Sequence, residues 1–384
     1  MKKRLLMLAS LLALLAIGIQ LGGHGYLWKA LAATYLKGYR TANIDDASNF
    51  AQRTIRKSVE QPWTKDRRYN ERSLDPELLA DLKRQDSAAF LVLQQGALVH
   101  ETYFGGYQAS SRTNSFSMAK TITTLQVALA VKEGFISSFD ARLIERIPEY
   151  ANDPRGKRAA LAQLSSMTSG HDWTENYFTP LNITTNLYYG NDAESLVLRQ
   201  GFEREPGTAY EYSSGSTQLM GVFLKRALEA REPGLSISEH LSRSLWGPLG
   251  MESDAFYTLD REGGMERTYC CIFATARDFA KIGQLLLQDG QWGGRALLDK
   301  AFVERMRKPD LQPFYGHSLW MDWAYQHPFY LLQGHQGQYV IVVPDQGLVI
   351  VRTGHQGGKM ERVQTGMIPS EVYRFVDQAV KLVH

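Results

Sequence analysis

The chain has 384 residues and a formal charge of +3, from 43 lysines and arginines against 40 acidic residues. Lys2, Lys3 and Arg4 carry that whole excess, so the body beyond residue 4 is neutral and lacks the basic face that a nucleic-acid partner requires. With 44% hydrophobic and 11% aromatic residues the chain can bury a large core, which excludes a disordered or acidic-tail protein. From Leu5 to Ile19 an apolar run broken only by Ser10 follows the three cations and fades through Gln20 to Gly23, the order of a signal sequence or signal anchor. At 1.5 Å per residue, about 18 residues reach about 27 Å, a short span that Tyr26 and Trp28 would complete at the interface. The small-x-small site Ala30-Leu31-Ala32 comes late for a signal peptidase. An uncleaved inner-membrane anchor over residues 5–22 is the first expectation, with a cleaved signal peptide and a buried core helix as alternatives. Either of the first two puts the rest of the chain outside the cytoplasm, on the periplasmic face. No cysteine follows the apolar run, so a lipoprotein anchor is excluded.

Residues 26–85 are polar and mixed, with Pro62, the charged stretch Lys65 to Arg68 and Pro76, and read as a stalk and lead-in helix. The domain proper is expected over 86–384, after 1–25 as targeting segment. Ala88–Leu93 and Ala97–Tyr103 are β-rich runs joined by Gln94-Gln95-Gly96, a hairpin signal. Met118–Val131 is a buried helix, with Ile122, Leu125 and Leu129 at helical spacing and Gly134 beyond its end. Helical segments over 216–230, 275–288 and 297–308 alternate with long loops rich in Gly, Asn and Tyr. Gln338–Val343 and Leu348–Arg352 flank Pro344-Asp345-Gln346-Gly347, a second hairpin signal, and Ser370 opens an amphipathic helix carrying Val372, Phe375, Val376 and Val380. Strands at both ends with helices between them predict one sheet assembled from both termini, an α+β arrangement. The adjacent Cys270 and Cys271 are expected as two buried thiols, with a strained redox pair as the alternative. No spacing of Cys and His suggests a structural metal.

An exported, neutral, loop-rich chain prompts a search for nucleophiles. The elbow Gly-x-Ser-x-Gly, the zinc pattern His-Glu-x-x-His and Gly-rich phosphate loops are absent. Ser117-Met118-Ala119-Lys120 remains, the only Ser-x-x-Lys in the chain. At the first turn of a helix, residues i and i+3 share a face, so the amine reaches the hydroxyl. A lysine held against apolar surroundings can act as a base, and N–H groups at the helix start can hold an oxyanion. Two further signals follow in order: Tyr210-Glu211-Tyr212-Ser213-Ser214-Gly215 at a helix start, and Gly334-His335-Gln336-Gly337-Gln338 entering the late strand.

With this ordered trio, Ser-x-x-Lys, Tyr-x-Ser and His-x-Gly, the sequence resembles the serine β-lactamase and penicillin-binding-protein superfamily over residues 86–384. The resemblance is to its class C-like branch, with DD-peptidases, carboxylesterases and 6-aminohexanoate-dimer hydrolases. It implies a β-lactamase/DD-peptidase-like fold, an antiparallel sheet flanked by helices plus a mostly helical lobe, and acyl transfer without metal or cofactor. It also implies Ser117 as the acylated nucleophile, Lys120 as the group that poises the hydroxyls, and Tyr212 as the proton carrier. Because a phenol titrates near about 10, that role requires Lys120 to lower the Tyr212 pKa. The backbone N–H groups of Ser117 and Gln338 would form the oxyanion hole, with Gly337 entering the strand.

Two departures from the β-lactamase pattern narrow the substrate. Ser214 stands where β-lactamases have asparagine, and His335 where they have lysine, so a permanent cation is replaced by a group mostly neutral at pH 7. Esters and small linear amides therefore fit better than carboxylate-bearing β-lactams. Tyr177 matches a tyrosine that contacts the substrate amide in the aminohexanoate hydrolases, while Trp173, Tyr188 and Tyr189 are candidates for an aromatic acyl pocket. His355, in a second His-Gln-Gly tripeptide, reads more readily as coincidence than as a cleft residue. The rival readings are a DD-peptidase or weak β-lactamase acting on cell-wall peptides, and a non-catalytic sensor module on the same fold.

Overall fold

The computed structural model describes residues 2–177, 179–358 and 368–384. Its main sheet joins the two hairpins that the turn signals predict. Ser87–Gln94 pairs with Ala97–Tyr103 on one side and with Leu348–Gly354 on the other. From there the sheet continues through Gln338–Val343 and Phe329–Gly334 to Trp320–Asp322, all antiparallel. Thr64–Lys65 adds a short parallel edge beside Ala97–Tyr103. Val92 and Ile341 both sit opposite Ile350, so the N-terminal strand is locked in register with the C-terminal hairpin.

Side chains alternate across a strand, and here both faces are covered. Leu91, Leu93, Val340, Val342, Val349 and Val351 belong to the large core that contains helix Ala276–Leu287, whereas Phe90, Val92, Ile341 and Ile350 meet Pro76–Arg84 and Ser370–Val383 on the other face. Each fully buried aliphatic side chain contributes about 1.5–3 kcal/mol, so these layers hold the molecule together. Gly283 lets helix Ala276–Leu287 lie close on the sheet, since a Cβ there would meet Val340 Cγ1 at 2.7 Å. In the last helix Val372, Phe375 and Val376 are buried, the face its spacing predicts.

A helical lobe lies beside the sheet. Met118–Lys132 is buried through most of its length and packs against Ser214–Arg231, which Leu161–Ser165 and Ala193–Leu198 also touch. A second antiparallel sheet runs Gln52–Ile55, Ala255–Thr258, Ile272–Thr275, Arg112–Asn114, and its last strand feeds the turn into Met118–Lys132. The expected helix over 297–308 is shorter, Lys300–Met306, because Gln291–Trp292 and Arg295–Ala296 form a small hairpin just before it.

The segment read as a stalk packs on the domain instead. Tyr26, Ala30 and Ala33 of helix Tyr26–Ala33, then Ile44, Phe50 and Ile55, are buried in the main core, and the Tyr26 hydroxyl donates to the Pro180 carbonyl at 3.3 Å. Residues Lys2–Leu21 form a 20-residue helix. Among the described residues no helix is long and apolar enough to cross a membrane, so the anchor reading of 5–22 finds no support in the structure.

Candidate active site

The nucleophile turn is set by its backbone. Phe116 takes a left-handed φ of 42°, unusual for a bulky residue, and thereby swings Ser117 to the start of Met118–Lys132. Asn114 holds the turn: its Oδ1 accepts the Phe116 N–H at 3.0 Å, and its Nδ2 donates to the Tyr188 hydroxyl at 3.1 Å. The Ser117 side chain makes no capping bond to the helix, which leaves its hydroxyl for another partner.

That partner is Lys120, one turn along the helix as the spacing predicts. Its Nζ donates to Ser117 Oγ at 3.0 Å, to Ser214 Oγ at 3.0 Å and to the Tyr269 carbonyl at 3.1 Å, so all three ammonium protons are used. Lys120 is 1% exposed, and burial pushes its pKa down from 10.5 to about 8, with the Glu175 carboxylate pulling it back in part. Tyr212 precedes helix Ser214–Arg231, which Ser213 caps by accepting the Ser216 N–H at 3.0 Å. Lys120 Nζ lies 5.0 Å from the Tyr212 ring centroid. Burial raises the Tyr212 phenol well above its ordinary range, and its hydrogen bond with Ser117 offsets only part of that. The condition that Lys120 lower the Tyr212 pKa is therefore not met. The amine faces the ring, and it is the amine, not the phenol, that comes near neutral.

The third motif arrives from the strand end. A Cβ on Gly334 would meet the Ser115 carbonyl oxygen at 2.4 Å, so only glycine lets this strand abut the nucleophile turn. His335 then lies between the rings of Phe116 and Tyr177, at 5.5 and 5.3 Å, and borders the cleft, with burial lowering its pKa; its Nε2 is buried and has no hydrogen-bond partner among the described residues. Gln338 fixes the turn through its side chain, Nε2 donating to the carbonyls of His335 and Gly354 at 3.0 and 2.7 Å. Gly337 has φ 79°, and the buried Arg352 beneath it donates to the Gln336 and Gly337 carbonyls at 2.9 Å each. Arg352 shows in the sequence only as a charge inside an apolar strand.

Ser117, Ser214, Tyr177, His335, Tyr188 and Tyr189 line one cavity that is open to solvent. Trp173 is not part of that lining. It is 3% exposed and packs under the start of Ser214–Arg231, where a Cβ on Gly215 would meet its ring at 2.3 Å. His355 is engaged elsewhere, 2.8 Å from the Tyr107 hydroxyl and 3.4 Å from Asp45. What sequence reading missed is the opposite wall, built by Ala30, Thr34, Tyr35, Arg40, Thr41 and Ala42 of the N-terminal segment. Gln336 Nε2 donates to the Ala42 carbonyl at 2.8 Å, tying that wall to the third motif. The available signal was the set of apolar residues Ile44, Phe50 and Ile55 in a stretch too polar to look buried.

Cys270 also borders the cavity, and Cys270 and Cys271 form a disulfide with each other. Cys271 adopts φ 73°, a backbone state that the two-thiol expectation did not include. The protein is therefore expected to resist iodoacetamide when native and oxidised, and to gain two adducts by mass spectrometry after reduction. A gain of adducts without reduction would overturn the pairing. Among the described residues, no cluster of three or more His, Cys, Asp or Glu side chains could hold a metal ion.

The Beta-lactamase family matches residues 77–366, most of the chain. The chain belongs to the beta-lactamase family. Among its relatives, a 6-aminohexanoate-dimer hydrolase of Paenarthrobacter ureafaciens is 26% identical over 240 residues, 60% of this chain. That match spans 59% of the relative's length. Two solved structures share the fold: a family VIII carboxylesterase, with TM-score 0.62, 15% identity and coverage of 84% of this chain and 100% of that one, and a penicillin-binding protein from Bacillus halodurans, with TM-score 0.61, 15% identity and coverage of 80% and 100%. The α+β sheet-and-lobe architecture expected from the motifs is thus the one observed.

Proposed function

We propose that this member of the beta-lactamase family is a serine hydrolase that forms an acyl-enzyme on Ser117 and hydrolyses esters or small linear amides. The observation that carries the reading is the buried Lys120 amine, with a pKa near 8 and 3.0 Å from Ser117 Oγ, where Ser117 itself lines a cavity open to solvent. In acylation, Ser117 Oγ bonds to the substrate carbonyl carbon while its proton passes to the free-base form of Lys120. Tyr212, which burial keeps protonated at neutral pH, donates to the leaving oxygen or nitrogen as that bond breaks, and the proton held by Lys120 replaces the one given up. Water then attacks the acyl carbon, the acid departs and Ser117 regains its proton. The N–H groups of Ser117 and Gln338 are assigned to the oxyanion.

The neutral His335 supports substrates that do not need a cation at this position. The names of the Paenarthrobacter relative and of the carboxylesterase neighbour support amides and esters over β-lactams. We also propose that the apolar N-terminal run directs the domain out of the cytoplasm. Intact-mass detection of a covalent adduct, mapped to Ser117, across a panel of p-nitrophenyl esters, linear amides and penicillins tests the chemistry. Adducts and turnover with esters or amides are expected. A stable penicillin adduct without ester turnover would move the assignment to cell-wall peptides, and no adduct at Ser117 with any of them would refute it.

A further inference from the structure

Glu175 lies outside the three motifs, in the loop that also carries Trp173 and Tyr177. Both of its carboxylate oxygens are engaged. Oε2 accepts the Ser214 N–H at 2.8 Å and the Trp173 indole N–H at 2.9 Å. Oε1 accepts the Ser214 hydroxyl at 2.6 Å and the Tyr177 hydroxyl. Ser214 Oγ in turn accepts from Lys120 Nζ at 3.0 Å. The result is an unbroken chain from a half-buried carboxylate through a hydroxyl to the buried amine beside Ser117.

A serine hydroxyl is a free rotor, able to point either its proton or a lone pair at a neighbour. Next to an ammonium only the lone pair is useful, and an acceptor on the far side fixes that choice. Glu175 is such an acceptor. Among the described residues, the other hydrogen-bond partners of Lys120 Nζ are the Ser117 hydroxyl and the Tyr269 carbonyl, and the Tyr212 and Tyr269 rings lie at 5.0 and 5.4 Å. Both phenols are buried with raised pKa values and stay neutral. Glu175 is thus the charge that acts on the amine.

We propose that Glu175 is a positioning residue for Lys120, acting through Ser214. It orients the Ser214 lone pair toward Nζ and supplies the counter-charge for the ammonium form, so that Glu175 and Ser214 work as a pair. The inference rests on Lys120 being the base of the proposed hydrolase, but its test does not depend on turnover. In Glu175→Gln the amide oxygen can keep the two bonds at Oε2, which cap the helix and hold Trp173. The amide nitrogen must then donate to Ser214 where the carboxylate accepted. The charge and the hydroxyl orientation are lost together while the packing is kept.

The experiment follows the Lys120 13Cε resonance in lysine-labelled full-length protein, assigned by its absence in Lys120→Met. The titration runs over about pH 6 to about pH 11, with the rate of fluorophosphonate labelling at Ser117 measured in parallel. Glu175→Gln is expected to move the Lys120 midpoint down by roughly one unit, and the labelling profile with it. Ser214→Ala, which keeps the backbone bond to Glu175, is expected to move it in the same direction. Glu175→Gln added to Ser214→Ala is expected to shift the midpoint by less than it does alone. A midpoint unmoved in folded Glu175→Gln overturns the proposal, and a full shift retained in the Ser214→Ala background overturns the route through Ser214. Absence of labelling at Ser117 in the wild type refutes the hydrolase reading instead, while the resonance still decides the role of Glu175.

Discussion

Replacing Ser117 by alanine is expected to lower turnover of a p-nitrophenyl ester by roughly 10⁴-fold or more, while leaving the melting temperature within a few degrees of the parent. The size follows from the chemistry, because without the hydroxyl no acyl-enzyme forms and only substrate binding and the oxyanion donors remain. The small stability change follows from the local structure. Serine at a helix start usually stabilises through a side-chain bond to the backbone, but Ser117 makes none. Its hydroxyl meets Lys120 instead, and Phe116 and Asn114 hold the turn without it. A steady-state assay with a thermal melt on the same sample checks both halves. Retained turnover in the variant would sink the nucleophile assignment, and a large fall in melting temperature would mean that the hydroxyl holds the turn.

The parts of this site legible in the sequence are those whose partners are close along the chain. Ser117 and Lys120 are one helical turn apart, so their spacing alone predicts their contact. The hairpin turns at Gly96 and Gly347 are local as well, and they announce the sheet that brings His335 to the nucleophile. Glu175 and the N-terminal wall have no such local signature. Glu175 acts on Lys120 across 55 positions, from a loop without periodicity, and Ala42 meets Gln336 across 294. Trp173 shows the converse error. An aromatic in a loop near a motif reads as pocket lining, yet Gly215 leaves a space that the indole fills from beneath. The Tyr212 pKa is not legible in the sequence for a related reason, since proximity of an amine to a tyrosine does not say whether it faces the hydroxyl or the ring.

Replacing Lys120 by methionine is expected to reduce ester turnover by roughly 10²–10⁴-fold and to change how stability responds to alkali. A straight apolar chain of similar length fits the space that the buried Lys120 side chain fills, so the fold should persist. The activity loss reflects removal of the group that takes the Ser117 proton. In the parent, kcat/KM is expected to rise as pH passes through about 8, where the buried amine becomes free base, and the variant should lack that limb. The stability signature has a definite sign. The folded pKa, about 8, lies below the unfolded value of 10.5, so between them the unfolded chain binds a proton that the folded chain does not. Stability from this group therefore rises with pH across that window, by an amount of the order of 3 kcal/mol, and is absent below pH 8, where the buried ammonium carries its full desolvation cost. Other lysines and tyrosines titrate in the same range, but they are common to both proteins and cancel in the difference. Urea unfolding of parent and variant from about pH 7.5 to about pH 10.5 should thus show the parent gaining stability relative to Lys120→Met. A difference flat with pH would mean that Lys120 titrates at its ordinary value, and the base for Ser117 would then have to be sought elsewhere in the cleft.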